Sequence, residues 1–235
     1  MKISSTCIAV LVFTCFFQLT TIAQSTNQTV NKNGYKVEEF THKDLKEWET
    51  FGLGSIEANH GQTIMHETKG SLGYMIVSSE IYKENVIVSY DVMTLNPATV
   101  LIVEMAAHNN DHFDLKLDAS YDGNVKYLFE NINMYMFAFH NAAHNKNGPF
   151  VRKYPKPGTT PLSEAKKNVL DVGKYHHVEI GMEEGKIWFK VDGKKIFKVK
   201  DATYHKGGKV IFRIRGTGHE LASCIIKNLK IYSEK

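Results

Sequence analysis

From Thr63 onward the chain repeats one pattern: a short run rich in Val, Ile, Phe, Tyr and Thr, then a break of Gly, Asn, Asp or Pro. Branched and aromatic side chains are cramped against the turns of a helix and pack well on a pleated surface, so such runs are strands. We read strands at 63–67, 73–78, 85–93, 99–107, 113–119 and 135–140, and again at 177–182, 186–191, 195–199, 209–215 and 223–232. Glu183-Glu184-Gly185 and Asp192-Gly193 are hairpin turns. Many short strands at even spacing make the chain all-β, a β-sandwich or jelly roll. One short helix is expected over Thr41 to Thr50, where a Thr cap, Asp44 three residues on, and Leu45 with Trp48 on one face coincide.

The N-terminus has the layout of a secretory signal over residues 1–23: Lys2, an apolar run from Ile8 through Phe17, and Thr21-Ile22-Ala23 before Gln24. The run is too short to span a bilayer, so an exported protein, periplasmic or secreted and without membrane insertion in the mature form, is expected. Residues 24–34, rich in Ser, Thr, Asn and Gln, read as a flexible leader, leaving 35–235 as one domain. Removal of Cys7 and Cys15 with the signal leaves Cys224 alone, so no internal disulfide forms and the core must supply the stability. The net charge of +4 falls to +3 without Lys2, the only charged side chain of that segment. Basic residues are scattered rather than striped, which argues against a nucleic-acid partner.

Alternation assigns faces. In 210–214, Val210, Phe212 and Ile214 point to the core and send Arg213 and Arg215 to the opposite side. Two neighbouring guanidinium groups call for an anion, from Glu104, Glu179 or a ligand. The stretch from Asn141 to Asp171, with five of its residues Pro or Gly between 148 and 158, reads as one long irregular loop able to fold over a sheet face as a lid.

Several segments together carry a resemblance: Ile132-Asn133-Met134-Tyr135, the Arg152-Lys153 and Pro-Gly loop, 173–180, Val191-Asp192-Gly193, 208–213 and 227–231. From about Tyr35 to the C-terminus the chain resembles the YesU-like jelly-roll family, similar in fold to concanavalin-type lectins and glucanases. The resemblance implies a concanavalin/galectin-like β-sandwich of two antiparallel sheets. It further implies a role in polysaccharide degradation and an activity like that of the uronate oligosaccharide dehydratases of the ulvan pathway.

The residues between Tyr135 and Tyr154 offer the groups such chemistry needs. Elimination from a uronic acid takes a base for the C5 proton, a cation for the carboxylate, and an acid for the departing O4. Arg152 suits the carboxylate, since a guanidinium grips it through two parallel hydrogen bonds. His140 or Tyr154 is the candidate base, and Tyr135 or His144 the candidate acid. Asn133, Asn141 and Lys153 are candidate substrate contacts within the same stretch. Arg213, Arg215, Glu104 and His108 are candidates outside it.

Competing readings come from the same residues. His140 and His144 have the spacing of a zinc pair on a helix, but the helix is missing, so no metal site is assigned. The 108–112 stretch, His-Asn-Asn-Asp-His, reads as a polar turn ahead of the alternative, a ligand cluster. Glu104 in an apolar strand, with Glu179, would make a glycosidase pair if the two met. Trp48 and Trp188 are core residues or sugar-stacking platforms. The expected partner is an anionic oligosaccharide and no organic cofactor is needed; a structural calcium leaves no spacing signature. An endo-acting uronate lyase and a non-catalytic carbohydrate-binding module are the alternatives to a dehydratase.

Overall fold

The computed structural model describes residues 29–30, 34–140, 148–155 and 160–234; the signal segment, most of the leader, Asn141 and His144 lie outside the described residues. In chain order the first strands are β1 (Thr29–Val30), β2 (Lys36–Phe40), β3 (Glu49–Phe51), β4 (Gly54–Asn59), β5 (Gln62–Glu67), β6 (Tyr74–Val77), β7 (Val86–Thr94) and β8 (Val100–His108). After them come β9 (Asn133–His140), β10 (Phe150–Tyr154), β11 (Ser163–Glu164), β12 (His176–Glu183), β13 (Lys186–Val191), β14 (Lys194–Lys200), β15 (Lys209–Arg215) and β16 (Ser223–Ser233). A nine-stranded sheet runs β1-β2-β16-β7-β12-β13-β14, with β5 also on β16 and β4 on β5. A seven-stranded sheet runs β11-β10-β9-β8-β15-β6-β3. Neighbours are antiparallel throughout both sheets.

The core lies between the sheets. Val88, Tyr90 and Val92 of β7 and Val178, Ile180 and Met182 of β12 face Val103 and Met105 of β8, Tyr135 and Phe137 of β9, and Phe212 of β15. Each such side chain contributes about 1.5–3 kcal/mol by leaving water. Cys224 is buried and free, and burial pushes its thiol up to about 12, so it acts as a small apolar residue. Trp48 packs edge-on against Phe40, 5.2 Å between centroids, and is a core residue.

Both hairpin turns form as expected, with Glu184 and Gly185, and Asp192 and Gly193, all at positive φ. The early helix is α1 (His42–Lys46), closed by Asp44 Oδ2, which accepts from the Thr41 backbone N–H and hydroxyl, each at 2.6 Å. Three expectations are corrected. Residues 113–119 form no strand, because Asn109, Asn110 and Asp118 accept local backbone N–H groups at 2.8–3.1 Å and divert them from a ladder. A second helix, α2 (Val125–Asn131), starts at Asn124, whose side chain accepts from the Lys126 N–H. The stretch from Asn141 to Asp171 is not wholly irregular, because it supplies β10 and β11.

Candidate functional site

Paired residues in a sheet share a face, so the register of the seven-stranded sheet sorts the candidates. Arg152 stands opposite Met136, Met136 opposite Glu104, and Glu104 opposite Ile211. One step along, Phe150, Ala138, Ile102 and Arg213 form the next row; on the other side Tyr154 pairs with Met134. Val210, Phe212 and Ile214 belong to the core between the sheets, so Arg213 and Arg215 lie on the outer face, as alternation indicates. The outer face thus gathers Arg152, Tyr154, Glu104, Arg213 and Arg215.

α2 packs over part of this face. Its Leu128, with Leu115 and Ile132, is buried among Met134, Met136, Tyr154 and Ile211. Phe129, the next residue of α2, lies flat on the Tyr154 ring at 4.2 Å and 6°. Beside that stack is a cleft of about 200 Å³ lined by Val100, Ile102, Phe129, Met136, Phe150 and the two arginines, among others. The Arg152 guanidinium sits 4.8 Å from the Phe150 ring centroid, a cation over an aromatic face.

Several polar atoms on this face lack partners. Both carboxyl oxygens of Glu104, the Tyr154 hydroxyl, and the Nε atoms of Arg152 and Arg213 are buried with no hydrogen-bond partner among the described residues. Each such group costs about 1–3 kcal/mol if left without a partner. Burial lifts the Glu104 carboxyl to about 7, against the lowering influence of Arg213. Burial also raises the Tyr154 phenol, while Arg152 pulls it down.

Arg213 is held in place by backbone. Its Nη2 donates to the carbonyls of Leu72 and Gly123 at 3.0 and 2.9 Å. Gly73 leaves room for it: a Cβ there would lie 2.1 Å from that nitrogen. Arg215 Nη1 donates to the Ser71 carbonyl at 2.6 Å and to Glu67 at 3.2 Å. Glu67 is the anion the paired arginines require, with Glu104. It is itself satisfied by Ser71 Oγ and by the N–H groups of Gly216 and Ala222.

The remaining candidates point elsewhere. Tyr135 and Lys153 face each other across β9 and β10 on the inner side, where the Tyr135 hydroxyl donates to Asp201 at 2.6 Å and Lys153 Nζ to the other oxygen at 2.8 Å. Burial opposes ionisation of Asp201, but Lys153, Tyr135 and Thr203 outweigh it and hold the carboxyl well below its usual range. His108 is buried against Phe113 and Tyr204, its Nδ1 2.8 Å from the Ala106 carbonyl, and pairs across the sheet with Asn133. His140 reaches the end of the cleft, but a bulge in the β8–β9 register sets it opposite Leu101 on the core side, where burial lowers its pKa. The structure therefore separates Tyr135, Lys153, Asn133 and His108 from the cleft, whereas His140 stands at its end with both ring nitrogens buried and without a hydrogen-bond partner among the described residues.

Glu179 is on the outer face of the other sheet, paired with Lys190 at 3.3 Å, so Glu104 and Glu179 cannot act on one glycosidic bond. Trp188 lies on that same far face, its Nε1 donating to Glu183 at 2.7 Å. Among the described residues no group of three or more His, Cys, Asp or Glu is arranged to hold a metal ion. Phe129, Phe150 and Glu67 were not singled out from the sequence. Glu67 had a signal, since it falls on the buried phase of β5 with Thr63 and Met65.

No protein-family model and no curated protein sequence matches the chain. Solved structures do match in shape. A Bacillus subtilis protein of unknown function with a galectin-like fold superposes with a TM-score of 0.68 at 16% identity, over 82% of this chain and 93% of that one. A carbohydrate-binding module from Bacillus subtilis gives 0.51 at 16% identity over 78% and 94%. The Bacillus licheniformis β-glucanase gives 0.52 at 11% over 89% and 96%. The fold is a galectin/glucanase-like jelly-roll sandwich of two antiparallel sheets, a scaffold that serves a carbohydrate-binding module in one of these neighbours and a glucanase in another.

Proposed function

We propose that this is an exported carbohydrate-active protein that takes the terminal uronic acid of an oligosaccharide on the outer face of the seven-stranded sheet and eliminates water across C4 and C5. The observation that carries it is the set of partnerless buried groups of Glu104, Tyr154, Arg152 and Arg213 beside an aromatic-walled cleft. Arg152 neutralises the carboxylate and so stabilises the carbanion at C5. Glu104, whose proton affinity lies near neutrality, removes the C5 proton, and the Tyr154 phenol protonates the departing O4. These roles replace those expected of Tyr135, whose hydroxyl is bound to Asp201 on the core side, and of His140, which stands opposite Leu101 at the end of the cleft.

A binding role without catalysis is the second reading. It is favoured by the burial of Glu104 and Tyr154, 0% and 1% exposed, which lets a sugar rest on Phe129, Phe150 and the arginines without reaching either group. Adjacent residues of β10 provide the test, because Arg152 lies on the outer face, opposite the cleft residue Met136, and Lys153 faces Asp201. Arg152→Ala should lower kcat/KM on saturated uronate oligosaccharides by at least about 100-fold, whereas Lys153→Ala should stay within about 3-fold. Equal effects of the two would sink the assignment of this face; wild-type binding with no turnover would leave the binding module.

A further inference from the structure

The outer face of the nine-stranded sheet carries a second constellation. Val88, Tyr90 and Val92 of β7 fill the core, so Ser89 and Asp91 point outward two residues apart on the opposite face. His177 of β12 stands directly across from Asp91. Its Nε2 is 3.2 Å from Ser89 Oγ and its Nδ1 is 2.7 Å from Asp91 Oδ1. With the proton on Nδ1, the imidazole donates to Asp91 and accepts from the Ser89 hydroxyl, the order of contacts that turns a serine into a nucleophile.

Two features fix the arrangement. The register of β16 on β7 slips between Lys227 and Lys230, and in that bulge Asn228, at φ 54°, donates Nδ2 to Asp91 Oδ2 at 2.7 Å. Asp91 is thus held through both oxygens. The His177 backbone N–H donates to Asp192 Oδ1 at 2.9 Å, which ties the start of β12 to the Asp192-Gly193 turn. Beyond the bulge, Lys230 pairs with Ser89, and its ammonium is held by Glu39 at 2.6 Å.

We propose that Ser89, His177 and Asp91 form a nucleophilic triad that hydrolyses short-chain carboxylic esters, independently of the cleft on the other sheet. Ser89 Oγ attacks the ester carbonyl carbon as its proton passes to His177 Nε2. The ester C–O bond then breaks, and the alcohol leaves with the proton from Nε2. Water attacks the acyl-serine with His177 again as base, releasing the carboxylic acid and restoring the Ser89 hydroxyl. The short acyl group follows from the setting: the His177 side chain is 44% exposed, but Ser89 is only 7% exposed, so only a small ester fits against the hydroxyl.

The test uses the full mature protein with 4-nitrophenyl acetate and, separately, a fluorophosphonate probe read by intact mass and peptide mapping. Saturable release of 4-nitrophenolate and a single adduct on Ser89 are expected. Ser89→Ala should abolish both, and Asp91→Asn should slow release by at least about 100-fold through loss of the correct imidazole tautomer. Thermal melting of both variants checks that they fold. Release by the wild type no faster than by folded Ser89→Ala, or an adduct mapped to another residue, would overturn the triad and leave a hydrogen-bond network that ties β7, β12 and β16 together.

Discussion

Replacing Glu104 by Gln tests the electrostatics of the cleft directly. A proton-affinity change of one pH unit is about 1.36 kcal/mol, so lifting this carboxyl from 4.5 to about 7 sets about 3 kcal/mol against its ionisation in the folded protein. The sign follows from linkage. Below the unfolded value both states hold the proton and the residue contributes no pH dependence. As pH rises the unfolded chain releases its proton first, so the folded state loses stability progressively until the folded group ionises near 7. Gln has no proton to release. The stability of Glu104→Gln relative to wild type should therefore grow by about 3 kcal/mol between about pH 4.5 and pH 8. Urea denaturation at both pH values reads this as a midpoint gap that widens by about 1–2 M. A gap that does not change with pH would refute the reasoning. It would mean that Glu104 is ionised in the fold, with its charge balanced by Arg213.

Other outcomes follow from named contacts. Gly73→Ala should destabilise the protein by several kcal/mol, on the order of the strain and clash of a Cβ at φ 134° against the Arg213 guanidinium, and should weaken uronate binding, read by calorimetry. Tyr135→Phe removes the donor to Asp201 and should cost about 1–3 kcal/mol in urea denaturation while kcat/KM for the uronate substrate stays at the wild-type value. Leu128→Ala empties a fully buried site under α2 and should cost about 2–5 kcal/mol by the same denaturation, with increased hydrogen exchange confined to α2.

The sandwich was legible because β-branched and aromatic runs, broken by turn residues, leave few alternatives. Val210, Phe212 and Ile214 alternate cleanly, and that alone delivered Arg213 and Arg215 to the outer face. β10 defeated the same logic. Its outward side is Phe150, Arg152 and Tyr154 and its inward side Val151 and Lys153, so polarity does not alternate, and a strand with a lysine turned inward toward Asp201 reads as loop. With β10 read as loop, Arg152, Lys153 and Tyr154 look like neighbours in one loop beside the Tyr135 strand, whereas the pleat divides the four residues between two faces. α2 is seven residues long with only Leu128 buried, too short for a helical period to stand out, and Phe129 went unseen with it. The bulges that turn His140 inward and carry Asn228 to Asp91 depend on strand register, which a single sequence does not display.

The most direct measurement is incubation of the purified mature protein with saturated, uronate-ended oligosaccharides from ulvan, pectic and glucuronan sources, following ultraviolet absorbance and product mass together. The account predicts rising absorbance of an unsaturated uronate, a mass loss of one water, and no shortening of the chain. Tight binding of the same oligosaccharides with neither absorbance nor mass change would contradict it and leave a carbohydrate-binding module on the same sheet face.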